Sequence, residues 1–219
     1  VRIVREPSPM HPTGFLRQFV RHPGKTGAVA PSSKGLAELI TDRAGLADAS
    51  VILEWGPGTG VFTERILRKK RPDALFFALE MNPDFVAAAR ARCPGALIYH
   101  DSAAHSLRHL ERHGLRQCDC VICGLPWAAF DESLQDTLLD TLVAILRPGG
   151  RFLTFAYLQG LLLPAGRRFR TKLRSRFTHV ATTRTVWRNL PPAFVYVASH
   201  EGGCRGQNGC ASGRRQAGR

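Results

Sequence analysis

"VILEWGPGTGVFTERIL", residues 51–67, decides the fold. Val51 to Trp55 are apolar apart from Glu54, which suits a short strand covered on both faces. Glycines follow at alternate positions, Gly56, Gly58 and Gly60, and mark a turn. Val61, Phe62, Ile66 and Leu67 then recur at the spacing of an amphipathic helix. Strand, glycine turn and helix in that order open a parallel α/β unit.

Outward from this stretch the pattern repeats. "ALFFALE" (74–80) reads as a strand, and "NPDFVAAARARC" (82–93) as a helix with Pro83 just inside its start. "ALIYHD" (96–101) and "CDCVICGLP" (118–126) are further strands, with helical stretches at 103–113 and 131–146. "RPGGRFLTFAY" (147–157) gives a turn and a fifth strand. "THVATTRTVWRNLPPAFVYVASH" suggests two more β segments around Asn189-Leu190-Pro191-Pro192. The fold class is α/β: a doubly wound, mostly parallel sheet with helices on both faces. Residues 1–44 read as an N-terminal helical extension or lid, 45–200 as the main domain, and 201–219 as a flexible basic tail without apolar periodicity.

The net charge of +14 is unevenly placed. Residues 1–140 are near balance, whereas no carboxylate lies between Asp140 and Glu201. A one-signed segment points to a polyanionic partner, either nucleic acid or an anionic membrane. Cys118, Cys120 and Cys123 are close in sequence, but they fall on a buried strand where Cys is a small apolar residue, and no metal is expected. No signal peptide opens the chain and no apolar run approaches the ~20 residues that span a bilayer. A reduced cytoplasmic environment is the expectation.

Ligands of doubly wound sheets bind beyond the carboxyl ends of the strands. There Glu54 would repel a pyrophosphate and attract an ammonium. Glu80, closing the second strand, can accept both hydroxyls of a ribose. Asp101, ending the third, can accept from an adenine amine. Alone, Glu80 also suits a helix-capping acid and Asp101 an N-cap. Together an ammonium, a ribose and an adenine describe S-adenosylmethionine better than a dinucleotide.

"LEWGPGTGVFTERIL", "ALE" (78–80), "HDSA" (100–103) and "CGLPWA" (123–128) resemble the class I S-adenosylmethionine-dependent methyltransferases. "FLRQFVRHPGKTGAVAPSSKGLAELI" (15–40) and "TVWRNLPPAFVY" (185–196) resemble, within that class, the bacterial phospholipid N-methyltransferases, which are similar to the ribosomal RNA adenine dimethyltransferases. The resemblance implies a seven-stranded Rossmann-like sheet whose last strand is antiparallel. It implies cofactor contacts at Glu54, Gly56, Gly58, Gly60, Glu80, Asp101, Ser102, Gly124 and Thr26. It also implies methylation of the phosphatidylethanolamine amine toward phosphatidylcholine, with ornithine lipids as substrates of close relatives.

The turn "VICGLPWAAF" (121–130) has Gly124 where adenine N-methyltransferases carry a polar side chain that accepts from the target amine. Trp127 remains as an exposed aromatic able to face a cation. Tyr157, at the end of the fifth strand, is a second wall or hydrogen-bond partner. Trp127 and Tyr157 are therefore the expected substrate residues; no general base is evident.

Two segments read as membrane-facing. Phe15, Leu16, Phe19 and Val20 form one helical stripe beside Arg17, Arg21 and His22. "RRFRTKLRSRF" (167–177) sets Phe169, Leu173 and Phe177 among Arg167, Arg168, Arg170, Lys172, Arg174 and Arg176. The expected protein is a monomer attached peripherally to the inner face of the cell membrane. An RNA adenine methyltransferase is the main alternative, and a non-enzymatic adaptor a further one.

Overall fold

The computed structural model describes residues 33–200. Thr26, the stripe Phe15, Leu16, Phe19 and Val20, and the tail 201–219 lie outside the described residues.

Helix α1 (Lys34–Arg43) starts where Ser33 turns its hydroxyl to accept from Leu36 N. Strand β1 (Val51–Trp55) leads through the glycine turn into α2 (Val61–Lys69). Strand β2 (Leu75–Glu80) precedes α3 (Pro83–Arg92), which Asn82 caps by accepting from Asp84 N while Pro83 fills the first turn. Strand β3 (Leu97–His100) is followed by a short 3-10 turn and α4 (Ser106–Arg112). Strand β4 (Cys118–Cys123), a 3-10 turn at Trp127–Ala129 and α5 (Glu132–Ile145) come next. Strand β5 (Leu146–Tyr157), α6 (Pro164–Arg176), β6 (His179–Thr182) and β7 (Ala193–Ser199) complete the order.

The seven strands form one sheet in the order β3-β2-β1-β4-β5-β7-β6. Strands β1 to β5 are parallel; β7 runs antiparallel to both β5 and β6. This is the expected doubly wound architecture. The chain reverses its direction of growth at β1, between β2 and β4, so the crevice falls beyond the ends of those strands.

Two apolar layers enclose the sheet. Leu36, Ile40, Phe62, Ile66, Val86 and Ala89 bring α1, α2 and α3 onto one face. Leu110, Leu134, Leu138, Leu142, Phe169 and Leu173 bring α4, α5 and α6 onto the other. The boundary expected at residue 45 is no structural break, because α1 buries Leu36, Ala37 and Ile40 completely in the domain core. Cys118 and Cys123 pack in the second layer and Cys120 in the first, all as free thiols. Burial pushes Cys120 and Cys123 up to about 12, so they remain protonated and apolar in behaviour.

The basic run 167–176 requires a correction. Its apolar stripe does not face outward: Phe169, Leu173 and Phe177 are buried in the core. Several of its cations meet carboxylates of α5, with Arg168 3.1 Å from Glu132 and Lys172 2.7 Å from Asp136. Arg176 spans Asp136 and Asp140 at 2.8 and 3.0 Å. A stripe at i, i+4, i+8 does not specify what covers it, and here the sheet does.

Candidate cofactor and substrate site

Glu54 stands on β1 between Ala78 of β2 and Ile122 of β4, so both lateral neighbours are apolar. Its side chain is fully enclosed. Thr63 Oγ1 donates to Oε2 at 2.7 Å, while Oε1 has no hydrogen-bond partner among the described residues. Burial pushes the carboxyl up to about 8, against the lowering effect of the Thr63 bond, and Glu80 adds repulsion. Placing a cation against Oε1 would satisfy the orphan oxygen and favour the ionised form, a gain of ~1.5–3 kcal/mol for a charged hydrogen bond.

The turn after β1 is stitched to its neighbours. Gly56 N donates to Leu79 O at 2.9 Å, and Gly124 N donates to Trp55 O at 2.7 Å. Trp55 is anchored beneath, its indole N–H donating to Ser106 Oγ at 2.8 Å. Gly58 has φ +56 with open space where a side chain would stand, so a ligand can approach its backbone closely. Gly60 has φ +80 and begins α2 without a side-chain cap, which leaves the first-turn N–H groups of that helix facing the turn.

Glu80, at the end of β2, reaches the same turn. Its Oε2 accepts from Gly58 N at 3.2 Å and its Oε1 from Asn82 N at 2.9 Å. Burial raises its pKa, with the backbone N–H bonds opposing. Each oxygen keeps acceptor capacity for a hydroxyl.

Asp101 follows β3 and is tied to the site by its N–H, which donates to Glu80 O at 3.0 Å. Its Oδ1 accepts from Ser102 N at 2.8 Å and lies 2.7 Å from His105 Nδ1. Its Oδ2 lies 2.8 Å from His109 Nε2 and also accepts from Arg108. Partial burial pushes the carboxyl up, but the bonds from His105, His109, Ser102 N–H and Arg108 outweigh it and hold it well below the usual range. All four lone-pair positions are thus used, and in this arrangement none is left for an adenine amine. Ser102 itself caps the 3-10 turn, accepting from Ala104 N at 3.3 Å. The basic partners at four, seven and eight residues beyond Asp101 were visible as helical spacing and were not read.

Gly124 lies against the glycine turn. A Cβ there would sit 2.4 Å from Gly56 O, which no side chain tolerates. The missing polar side chain of this turn is therefore a packing requirement of the backbone.

Trp127, expected as an exposed wall, is instead 3% exposed. Its ring stacks on Phe169 with centroids 4.6 Å apart, and its indole N–H donates to Thr154 Oγ1 at 3.1 Å. Thr154, missed in the sequence, is fully buried and passes a bond on to Cys123 O. Tyr157 packs in the opposite layer, edge-on to Phe155 at 5.5 Å. The two aromatics do not form one cage. Tyr157 OH is enclosed and has no partner among the described residues, and burial pushes the phenol up to about 12. Asn189, also missed, is buried in the β6–β7 connection. Its Oδ1 accepts from Ser33 N at 3.0 Å and its Nδ2 donates to Pro191 O at 2.7 Å.

Glu54, Gly56, Gly58, Gly60, Glu80 and Gly124 are thus gathered at the ends of β1, β2 and β4, with Asp101 and Ser102 beside them. Residues 52–150 match a family described as a methyltransferase domain. Over that span the chain is similar to a methyltransferase domain. It is 29% identical over 195 residues to the ornithine lipid N-methyltransferase of Singulisphaera acidiphila, covering 88% of this chain and 94% of that protein. Among solved structures it resembles a precorrin-6y C5,15-methyltransferase from Geobacter metallireducens, with TM-score 0.58 at 16% identity over 82% of this chain and 96% of that one. It also resembles an O-methyltransferase from Bacillus cereus in complex with S-adenosylhomocysteine, with TM-score 0.60 at 15% identity, covering 85% and 90% of the two chains. The site fits S-adenosylmethionine on its own geometry. An orphaned buried carboxylate oxygen, an open glycine backbone and a strand-end acid suit an ammonium, a carboxylate-bearing tail and a ribose. Among the described residues no helix is long and apolar enough to cross a membrane.

Proposed function

We propose that this chain, an S-adenosylmethionine-dependent methyltransferase, methylates the headgroup amine of phosphatidylethanolamine at the membrane surface, in successive steps toward phosphatidylcholine. The observation that carries the reading is the pairing of Gly124 with Tyr157. The turn that would clamp an adenine amine has no acceptor side chain and no room for one. A buried, unpartnered hydroxyl stands instead at the end of β5. A carboxylate clamp would hold the amine as its unreactive cation, whereas a neutral phenol accepts an N–H and leaves the lone pair free.

The bound cofactor supplies a methyl group on a sulfonium. Glu54 would hold the cofactor's ammonium, Glu80 its ribose hydroxyls, and the glycine turn its carboxylate-bearing tail. Tyr157 Oη would accept an N–H of the substrate amine and orient its lone pair for attack. Methyl transfer would break the S–C bond as the N–C bond forms, with the nitrogen's proton leaving to water. Because burial holds the Tyr157 phenol near 12, it orients and does not act as the base at neutral pH. Positioning of the two reactants supplies most of the rate.

A second reading, methylation of an ornithine lipid, is favoured by the likeness to the Singulisphaera acidiphila protein. Purified protein with labelled S-adenosylmethionine should label phosphatidylethanolamine vesicles, and lipids from a host lacking phosphatidylcholine should gain it on expression. Label in ornithine lipid alone would select the second reading. Label in RNA with none in either lipid would overturn both.

A further inference from the structure

The largest outward-facing apolar side chains lie on two connections that meet. Among the described residues Leu162, Leu163, Trp187 and Leu190 are 73, 52, 70 and 80% exposed, whereas the next, Leu97 and Val143, stand at 38 and 37%. Leu162 and Leu163 lie between β5 and α6; Trp187 and Leu190 lie in the β6–β7 connection. The two connections meet beyond the end of β5. Tyr157 pairs with Ala193, Leu158 N donates to Pro192 O at 2.9 Å, and Val186 bridges Ala193. Isolated exposed leucines are ordinary, but four large apolar groups on two connections that meet at the end of β5 mark a contact surface.

The charge around them identifies the partner. Arg184 and Arg188 share the β6–β7 connection, and Arg167 stands on the first turn of α6. None of the three makes an ion pair among the described residues, unlike Arg168, Lys172 and Arg176 deeper along α6. No carboxylate lies between Asp140 and Glu201 to offset them. Aliphatic tips with a Trp at their edge and unpaired guanidinium groups beside it match acyl chains, the headgroup level and lipid phosphates respectively.

We propose that this corner is the surface that enters an anionic lipid bilayer. Leu162, Leu163 and Leu190 insert, Trp187 lies at headgroup depth, and Arg167, Arg184 and Arg188 meet phosphates. Its purpose rests on the lipid-substrate reading, since it would hold Tyr157 close to headgroups without extracting the lipid. The surface lies on different residues from the buried stripe of α6.

The protein contains its own probe. Of its three tryptophans, Trp55 and Trp127 are buried and only Trp187 is exposed. Full-length protein is mixed with vesicles of phosphatidylglycerol and phosphatidylcholine in equal parts, neither of which offers a primary amine. Tryptophan emission should shift to the blue, be quenched by brominated acyl chains, and lose both responses in Trp187→Phe. Leu162→Ser with Leu163→Ser should lower vesicle partitioning by about tenfold or more. Co-sedimentation with unchanged emission would place the membrane contact elsewhere and overturn the proposal. Emission already blue and shielded from aqueous acrylamide before vesicles are added would show the corner covered by the chain or a second copy, and would overturn it too. Methyl transfer to detergent-dispersed phosphatidylethanolamine is measured separately. Its absence, from phosphatidylethanolamine and ornithine lipid alike, beside an intact vesicle signal sinks the lipid-substrate reading and leaves the surface standing.

Discussion

Gly124 and Gly56 meet backbone to backbone: the position of a Gly124 Cβ is 2.4 Å from the Gly56 carbonyl oxygen. The end of β4 is thereby pressed onto the glycine turn that follows β1. The same contact removes the side chain that an adenine-methylating turn would use, so one steric fact shapes both the cofactor turn and the substrate position.

Gly124→Ala should therefore harm the cofactor site and the fold together. The obstructing atom is backbone and cannot swing away, so overpacking of about 1–3 kcal/mol is expected. Thermal unfolding should occur several degrees lower, and calorimetry should show weakened S-adenosylmethionine binding. A Gly124→Ala or Gly124→Asn protein with unchanged Tm would refute the close approach.

Glu54 makes stability and binding depend on pH in opposite senses. Its folded pKa of about 8 exceeds the ordinary 4.5, so the folded protein holds a proton that the unfolded chain releases. Its contribution to stability is complete below pH 4.5 and is lost as pH rises through 8. Relative to Glu54→Gln, the unliganded protein should thus weaken across that window in denaturant titrations. Cofactor affinity should rise over the same window, because an ammonium binds the ionised carboxylate. A wild-type pH profile identical to that of Glu54→Gln in both measurements would remove Glu54 from the ammonium site.

Glu80→Ala strips two ribose hydroxyls of a charged acceptor and leaves Gly58 N–H unpaired. A loss of ~1.5–3 kcal/mol predicts roughly a ten- to hundredfold fall in S-adenosylmethionine affinity. Unchanged affinity in a folded variant would mean that the ribose lies elsewhere.

Trp127 and Tyr157 should separate packing from chemistry. Trp127→Ala empties a core position stacked on Phe169 and should destabilise by about 3–5 kcal/mol, with activity falling only as the fold does. Tyr157→Phe keeps the ring and removes an unpartnered buried hydroxyl, so Tm should hold while kcat/KM for lipid falls by about tenfold. Equal kcat/KM in wild type and Tyr157→Phe would end the role given to that hydroxyl.

Local pattern was sufficient for the sheet. Continuous apolar runs such as Leu75–Leu79, caps such as Asn82-Pro83, and the glycines after Trp55 act within a few residues, so strand, helix and turn could be read along the chain. Glu54 and Glu80 were legible for the same reason: each closes or nearly closes a strand, and strand ends in a parallel sheet converge on one crevice. What covers a side chain is a long-range matter. The stripe Phe169, Leu173 and Phe177 has the same spacing on a membrane as on a sheet, and only the carboxylates Glu132, Asp136 and Asp140, on α5, turn Arg168, Lys172 and Arg176 toward the protein. Trp127 could stack on a ligand or on Phe169, and its burial depends on where α6 lies. The four acceptor positions of Asp101, the contact of Gly124 with Gly56 O, and the meeting of the β5–α6 connection with the β6–β7 connection likewise exist only once distant segments are packed. Periodicity encodes which residues leave water; packing alone chooses their neighbours.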